Sequence, residues 1–192
     1  MRPLRAIVVP ALLVALIAAM PAQEMPVPTA LQVPLLVKVL GFDRALASRL
    51  GAELRIVVAY QPGFRASREA MEEIRALVEH GDAPSVGGKR VRWVFLPLDD
   101  DVPFGEELLR HGAAVAYLTP LRAVDIAELG GQAGAVGVLT TTGVPEYVGR
   151  GVAVGFGLRG GRARILISLR TARSAGADFG AQFLHVVDLV EE

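Results

Sequence analysis

The sequence predicts an α/β fold: a single layered domain with a mixed, mostly parallel sheet, a C-terminal β-hairpin and a C-terminal amphipathic helix. Three observations predict it. Short β-branched runs alternate with helical-period segments over residues 29–140, which is the rhythm of βα units. Two later apolar runs flank Gly160-Gly161, a pair suited to the positive φ angles of a tight hairpin. Phe179, Phe183, Val186 or Val187, and Val190 then return to helical spacing. The 192 residues, 52% of them hydrophobic, can bury the core of one domain.

In chain order, Val33, Leu36, Val37, Leu40, Leu46 and Leu50 recur at helical spacing. They predict one helix over Thr29–Leu50, bent near Gly41 and stopped by Gly51. Leu54–Tyr60 reads as a parallel-sheet strand ended by Pro62-Gly63. Ser67 offers an N-cap to a helix whose face is Ala70, Met71, Ile74, Leu77 and Val78, closed by Gly81. Gly87-Gly88 turn the chain into a second strand, Arg90–Leu96, and a short helix spans Pro103 to His111. Ala113–Leu118 reads as a third strand buried on both faces. Thr119-Pro120 fits the N-cap and first position of a helix over Leu121–Leu129, ended by Gly130-Gly131. Ala135–Thr140 is the fourth strand. Gly151–Leu158 and Ala163–Leu169 form the hairpin, and Ser168 caps a short helix ending near Gly176.

The chain opens with Met1-Arg2-Pro3-Leu4-Arg5, an uncharged run from Ala6 to Met20, and Pro21-Ala22. Two arginines, a short apolar run and a small residue are the pattern of a secretory signal peptide over 1–22, with cleavage after Ala22 and a domain over 23–192. An uncleaved N-terminal anchor is the alternative. Either reading places the domain outside the cytoplasm, in the periplasm. There is no cysteine, which excludes a lipid-anchored lipoprotein, disulfides, a thiol nucleophile and thiolate metal ligands. Whole-chain charge balances at 20 Lys+Arg against 20 Asp+Glu. Without a basic stripe, phosphate contacts lack their clustered Lys and Arg, so no nucleic-acid partner is expected.

Three groups of residues invite chemistry, and each has a plainer structural reading. Asp99-Asp100-Asp101 end a strand, where ligands of α/β sheets dock, and three carboxylates there could hold Mg²⁺ or Ca²⁺. Acidic residues ahead of a helix also satisfy its free N–H groups, and no second ligand cluster accompanies them. His80, His111 and His185 are scattered, two of them at predicted helix C-termini, and no GxSxG presents a serine nucleophile. The glycines Gly130, Gly131, Gly134, Gly137, Gly149, Gly151, Gly155 and Gly157 lack the order of a phosphate loop and suit close backbone approach instead. The sequence therefore nominates no catalytic, cofactor-binding or metal residue, and no enzyme activity is expected.

Several phrases between Val138 and Val190 point to a family. Val138-Leu139-Thr140 stands where that family has a strand ending in "VLTV", and Val144–Gly151 stands where it has a "GFA…GG" loop. Arg164–Leu169 matches a hairpin ending in "INL", and Ala172–Leu184 matches a final helix pair. On these residues the chain resembles the YfiR/HmsC-like family of periplasmic regulatory proteins. Leu109–Thr119 resembles the family's preceding strand, and Leu31–Tyr60 fits more faintly. Val152-Ala153-Val154 and Ser168 depart from the family's pattern, and the cysteines many members pair are absent.

The resemblance implies a regulator acting by protein–protein contact, restraining an inner-membrane diguanylate cyclase and so cyclic-di-GMP and biofilm formation. It also implies possible homodimers and carries over no interface residue. The alternative is a periplasmic small-ligand-binding protein, motivated by an open α/β sheet with glycine-rich strand ends.

Overall fold

A computed structural model describes residues 24–80, 85–98 and 101–191. The expected signal peptide, the helix stop at Gly81, and Asp99 and Asp100 lie outside the described residues. Helices α1 (Thr29–Leu40) and α2 (Leu46–Arg49) precede β1 (Leu54–Tyr60) and α3 (Arg65–His80). Then come β2 (Ser85–Val86), β3 (Lys89–Pro97), α4 (Phe104–Arg110), β4 (Val115–Leu118) and α5 (Ile126–Ala135). After β5 (Leu139–Thr142) a 3₁₀ turn at Pro145–Tyr147 leads to the hairpin of β6 (Val154–Arg159) and β7 (Arg162–Ile167). Helices α6 (Leu169–Ser174) and α7 (Ala181–Leu184) and strand β8 (Asp188–Leu189) complete the chain.

One mixed sheet runs β2-β3-β1-β4-β5-β6-β7-β8. β3, β1, β4, β5 and β6 are mutually parallel. β7 is antiparallel to β6, as the Gly-Gly pair predicts: Gly160 and Gly161 have φ of 57° and 74°. Apolar residues cover both faces. Leu54, Ile56 and Val58 of β1 pack with Leu36, Val39 and Leu40 of α1 and Met71 and Ile74 of α3. Val57 and Ala59 point the other way, against Phe104 and Leu108 of α4 and Ile126 and Leu129 of α5. Alternation along a strand buried on both sides thus gives three layers, helix on sheet on helix.

Five elements differ from the sequence reading, each for a physical reason. The first helix is broken, not bent. It stops at Leu40, and the chain turns through Asp43, whose buried carboxylate accepts N–H groups from Ala45 at 3.0 Å and Asp178 at 2.9 Å. Ser67 does not cap α3; it lies within the first turn, where its hydroxyl accepts the Gln61 N–H at 2.8 Å and pairs with the Thr119 hydroxyl at 2.7 Å. No helix starts at Leu121. Residues 119–125 are irregular, and Asp125 caps α5 by accepting from Ala127 and Glu128. Gly130-Gly131 then lie inside that helix, and Ala135 ends it, so the fourth strand starts at Leu139.

The closing amphipathic segment is helical only over Ala181–Leu184, with Phe183 buried. Beyond it the chain extends as β8, and Val190 N–H bonds the Ile167 carbonyl at 2.9 Å. An otherwise bare edge of β7 takes those residues out of the helix.

β8 is held by charge as well. Asp188 accepts Arg164 at 2.8 Å and lies 3.3 Å from Arg159. The Arg164 hydrogen bond holds the Asp188 carboxyl below its ordinary value. A carboxyl with a lowered folded pKa stabilises the fold above its unfolded pKa, near 4, and that contribution fades as pH falls through the folded value. Amide exchange at Leu189 and Val190 is therefore expected to accelerate below about pH 4 relative to the core strands. In Asp188→Asn that acid dependence should vanish; an unchanged profile in the variant would assign it to another group.

The stretch before α1 belongs to the fold too. Val27 is fully buried, and its carbonyl accepts Gln32 Nε2 at 2.6 Å. Gln32 Oε1 in turn accepts the buried Tyr117 hydroxyl at 2.5 Å. Burial pushes that phenol's pKa up, so it stays a neutral donor. Gly143 lies against Gln32 and Met25, leaving no room for a Cβ.

Candidate functional site

The carboxyl ends of the five parallel strands share one edge of the sheet. β1 leads through α3 to β3 on one side, whereas β3 leads through α4 to β4 on the other, so strand order reverses at β1 and β4. Ligands of open α/β sheets commonly bind at such a reversal. Here the chain itself bridges it. The Gln61 side chain donates to the Arg122 carbonyl at 3.1 Å and accepts its N–H at 2.9 Å. Tyr147 Oη accepts the Leu121 N–H at 2.8 Å and donates to its carbonyl at 3.1 Å.

The open space lies beside this bridge, at the end of β3 on the α4/α5 face. A cleft of about 430 Å³ is lined by Leu96–Leu98, Asp101–Phe104, Glu107, Ala123–Asp125, Glu128, Leu129 and Gln132. Among the described residues its floor is apolar and its rim carries four carboxylates, with no Lys, Arg or His in the lining. Gln132 frames it, accepting the Gly105 N–H at 3.1 Å and donating to Glu128 at 3.2 Å. Gly105 permits this, since a Cβ there would sit 3.2 Å from the Gln132 carbonyl. Ala123, with φ of 56°, turns the loop toward the Asp125 cap.

The four carboxylates are not equivalent. Asp125 is engaged as the cap of α5. Glu107 is half-buried, paired with Arg110 at 2.5 Å and 3.5 Å from the His111 ring. Asp101 stands at the loop after β3, and Glu128 is exposed on the first turn of α5. The α5 dipole adds positive potential near Asp125 and Glu128, a partial offset to their charge. The cleft remains a net negative concavity over an apolar floor, suited to a small cationic group carrying apolar substituents.

Of the residues singled out from sequence, only Asp101 lines this cleft among the described residues. His80, His111 and His185 sit at the C-terminal ends of three different helices. The glycines are dispersed as well. Gly130, Gly131 and Gly134 lie in α5, Gly155 and Gly157 in β6, and Gly137, Gly149 and Gly151 in turns with positive φ. They admit neighbours and form no anion cradle: a Cβ on Gly155 would meet Val148 at 2.3 Å. Among the described residues no three His, Asp or Glu side chains gather as metal ligands. Sequence reading missed Glu107, Asp125, Glu128 and Gln132. Asp125-Ile126-Ala127-Glu128 has the spacing of a capping box and could have revealed the α5 start, but the Thr119-Pro120 signal drew the helix six residues early.

No protein-family model matches the chain, and no curated protein matches it. Solved structures do share its fold. It is similar to a conserved domain protein from Vibrio cholerae O1 biovar El Tor, with TM-score 0.56 and 14% identity over 84% of this chain and 60% of that one. It is similar to an ABC domain in complex with L-Trp from Streptococcus pneumoniae, with TM-score 0.53 and 10% identity over 80% and 59%. A ligand-free, open substrate-binding protein with adhesive properties from Clostridium difficile gives TM-score 0.51 and 12% identity over 77% and 57%. The chain thus spans less than two thirds of each of these proteins, and the likeness is one of fold. Among the described residues no helix is long and apolar enough to cross a membrane.

Proposed function

We propose that this chain is an extracytoplasmic small-ligand-binding protein whose ligand is a small organic cation, an amine with an apolar body, seated in the cleft between α4 and α5. The observation that carries this reading is the cleft itself: about 430 Å³ at the carboxyl edge, apolar below, acidic above, with no basic side chain among the described residues of its lining. A fold shared with a substrate-binding protein supports it. Leu96, Phe104 and Leu129 would take the apolar body, and Glu128 and Asp101 the ammonium group. Exchanging hydration for these partners favours binding only where both contacts form together.

The regulator reading remains a separate proposal that rests on the phrases between Val138 and Val190. Those residues build β5, the 3₁₀ turn, the hairpin, α6, α7 and β8, core and turn positions that favour no particular partner. Intracellular cyclic-di-GMP with and without the gene would separate the two: a rise on deletion would favour the regulator.

The direct test of the binding reading is calorimetry against small amines and amino acids, with carboxylates lacking an amine as controls. Saturable binding by amine-bearing compounds alone is expected, with affinity at least about tenfold weaker in Glu128→Gln, which removes one charge from the rim. Binding that is unchanged in Glu128→Gln, or no binding by any amine, would overturn the assignment of the cleft.

A further inference from the structure

We infer that β3 is an interface strand: two copies of this chain join edge to edge through antiparallel pairing of Val91–Pro97, extending the sheet across a two-fold axis at Val94. This goes beyond the ligand-binding reading and does not depend on it. Among the described residues β3 pairs only with β1 and β2, and β2 reaches only Lys89 and Arg90. Among the described residues, the outer edge from Val91 to Pro97 therefore has no strand beside it. Natural proteins rarely leave such an edge long and apolar. Here Trp93, Val94 and Phe95 are all half-buried, in the middle of that free stretch.

Backbone phase determines which groups face outward. Leu98 N–H bonds the Tyr60 carbonyl of β1 at 2.8 Å, and N–H and C=O of one residue point the same way, alternating along a strand. The even positions of β3 thus face β1, whereas Val91, Trp93, Phe95 and Pro97 face outward. Pro97, without an N–H, falls where it costs β1 no hydrogen bond, the placement tolerated on an edge strand.

The free stretch is its own complement. It has seven residues centred on Val94, and a two-fold axis there pairs the whole of it with itself, since an isologous edge contact is antiparallel. Trp93 then exchanges hydrogen bonds with the partner's Phe95, and Phe95 with the partner's Trp93. Both side chains lie on the α1/α3 face, so two aromatic cross-strand pairs form, the kind that adds stability beyond burial.

Charge fits the same register. Arg92, with a side chain 65% exposed, alternates onto the α4/α5 face with Val94 and Leu96. It falls opposite the partner's Leu96, which lines the acidic cleft beside Asp101. The two Arg92 side chains stay four residues apart along the ladder; a parallel pairing would set them side by side. A basic strand start against an acidic strand end favours a second copy over an unrelated extended peptide.

The chain contains no cysteine, so a single one reports the register. Val94→Cys brings two sulfurs together at a non-hydrogen-bonded pair, with Cα atoms about 4.5 Å apart. Arg92→Cys leaves its two copies about 13 Å apart, beyond disulfide reach. Under mild oxidation Val94→Cys should crosslink to dimers at least about tenfold faster than Arg92→Cys, and the unsubstituted chain should sediment as a dimer. Equal crosslinking by the two variants would overturn the register. A chain that sediments as a monomer at its highest soluble concentration would overturn the interface, including where Val94→Cys fails to fold.

Discussion

Gly130→Ala is expected to destabilise the protein by about 3 kcal/mol or more, whereas Gly131→Ala next to it should stabilise by about 0.5–1 kcal/mol. Both residues lie inside α5, where alanine is intrinsically the better helix former. The difference lies in what each faces. A Cβ on Gly130 would sit 2.0 Å from the Gly151 carbonyl oxygen, whereas one on Gly131 meets nothing within 4 Å. Gly151 is locked into the same contact. Its φ is 106°, and a Cβ there would lie 2.9 Å from the Ala127 Cα. Backbone meets backbone, so no rotamer change can relieve the overlap; α5 must lift away. Urea unfolding of the two variants checks this, with the midpoints expected to move in opposite directions at a similar m-value. A lift of α5 would also displace Glu128 and Gln132, so Gly130→Ala should weaken the amine binding proposed for the cleft where Gly131→Ala does not.

Asp43→Ala is expected to cost about 3–5 kcal/mol. The Asp43 side chain is fully shielded and its partner Arg49 is half-buried. The carboxylate takes the Arg49 guanidinium, the Ala45 N–H and the Asp178 N–H, and Arg49 also donates to the carbonyls of Ala175 at 3.0 Å and Gly137 at 3.2 Å. Removing the acid leaves a half-buried cation without its counter-charge and two N–H groups without acceptors. Arg44 N–H to the Asp178 carbonyl at 2.9 Å, and Phe42 stacked on Phe183 at 4.5 Å, extend the same junction. The C-terminal segment should therefore loosen first, visible as faster amide exchange over α7 and β8 in the variant. A double-mutant cycle with Arg49→Met should show strong coupling, the double variant costing less than the sum of the single changes. Additive costs would show that the pair acts as two independent contacts.

How much of this was legible depends on range. β1 is read to the residue, Leu54–Tyr60, because a β-branched run between a helix stop and Pro62-Gly63 has no competing local solution. The hairpin is equally local, since Gly160 and Gly161 take the positive φ that their identity permits. The Ser168 cap is observed as expected, its hydroxyl accepting the Thr171 N–H. Reading failed where two local signals competed. Thr119-Pro120 and Asp125-x-x-Glu128 both look like helix starts, and long-range bonds from Thr119 to Ala59 and Ser67, from Gln61 to Arg122 and from Tyr147 to Leu121 hold residues 119–125 out of a helix. Gly130-Gly131 resembles a stop signal because the packing that requires Gly130 comes from Gly151, a residue on another element.

The sequence by itself therefore determined the layer architecture: periodicity and turn residues specify which segments are strands, which are helices, and that the sheet is buried on both faces. Tertiary structure alone decided the site and the edges. Asp101, Glu107, Asp125 and Glu128 meet because β3 and the α5 start end at the same side of the sheet, a juxtaposition set by strand order and not by spacing along the chain. Likewise β8 leaves its helical pattern for the edge of β7, since unpaired backbone groups at a sheet edge outweigh the local preference of two residues.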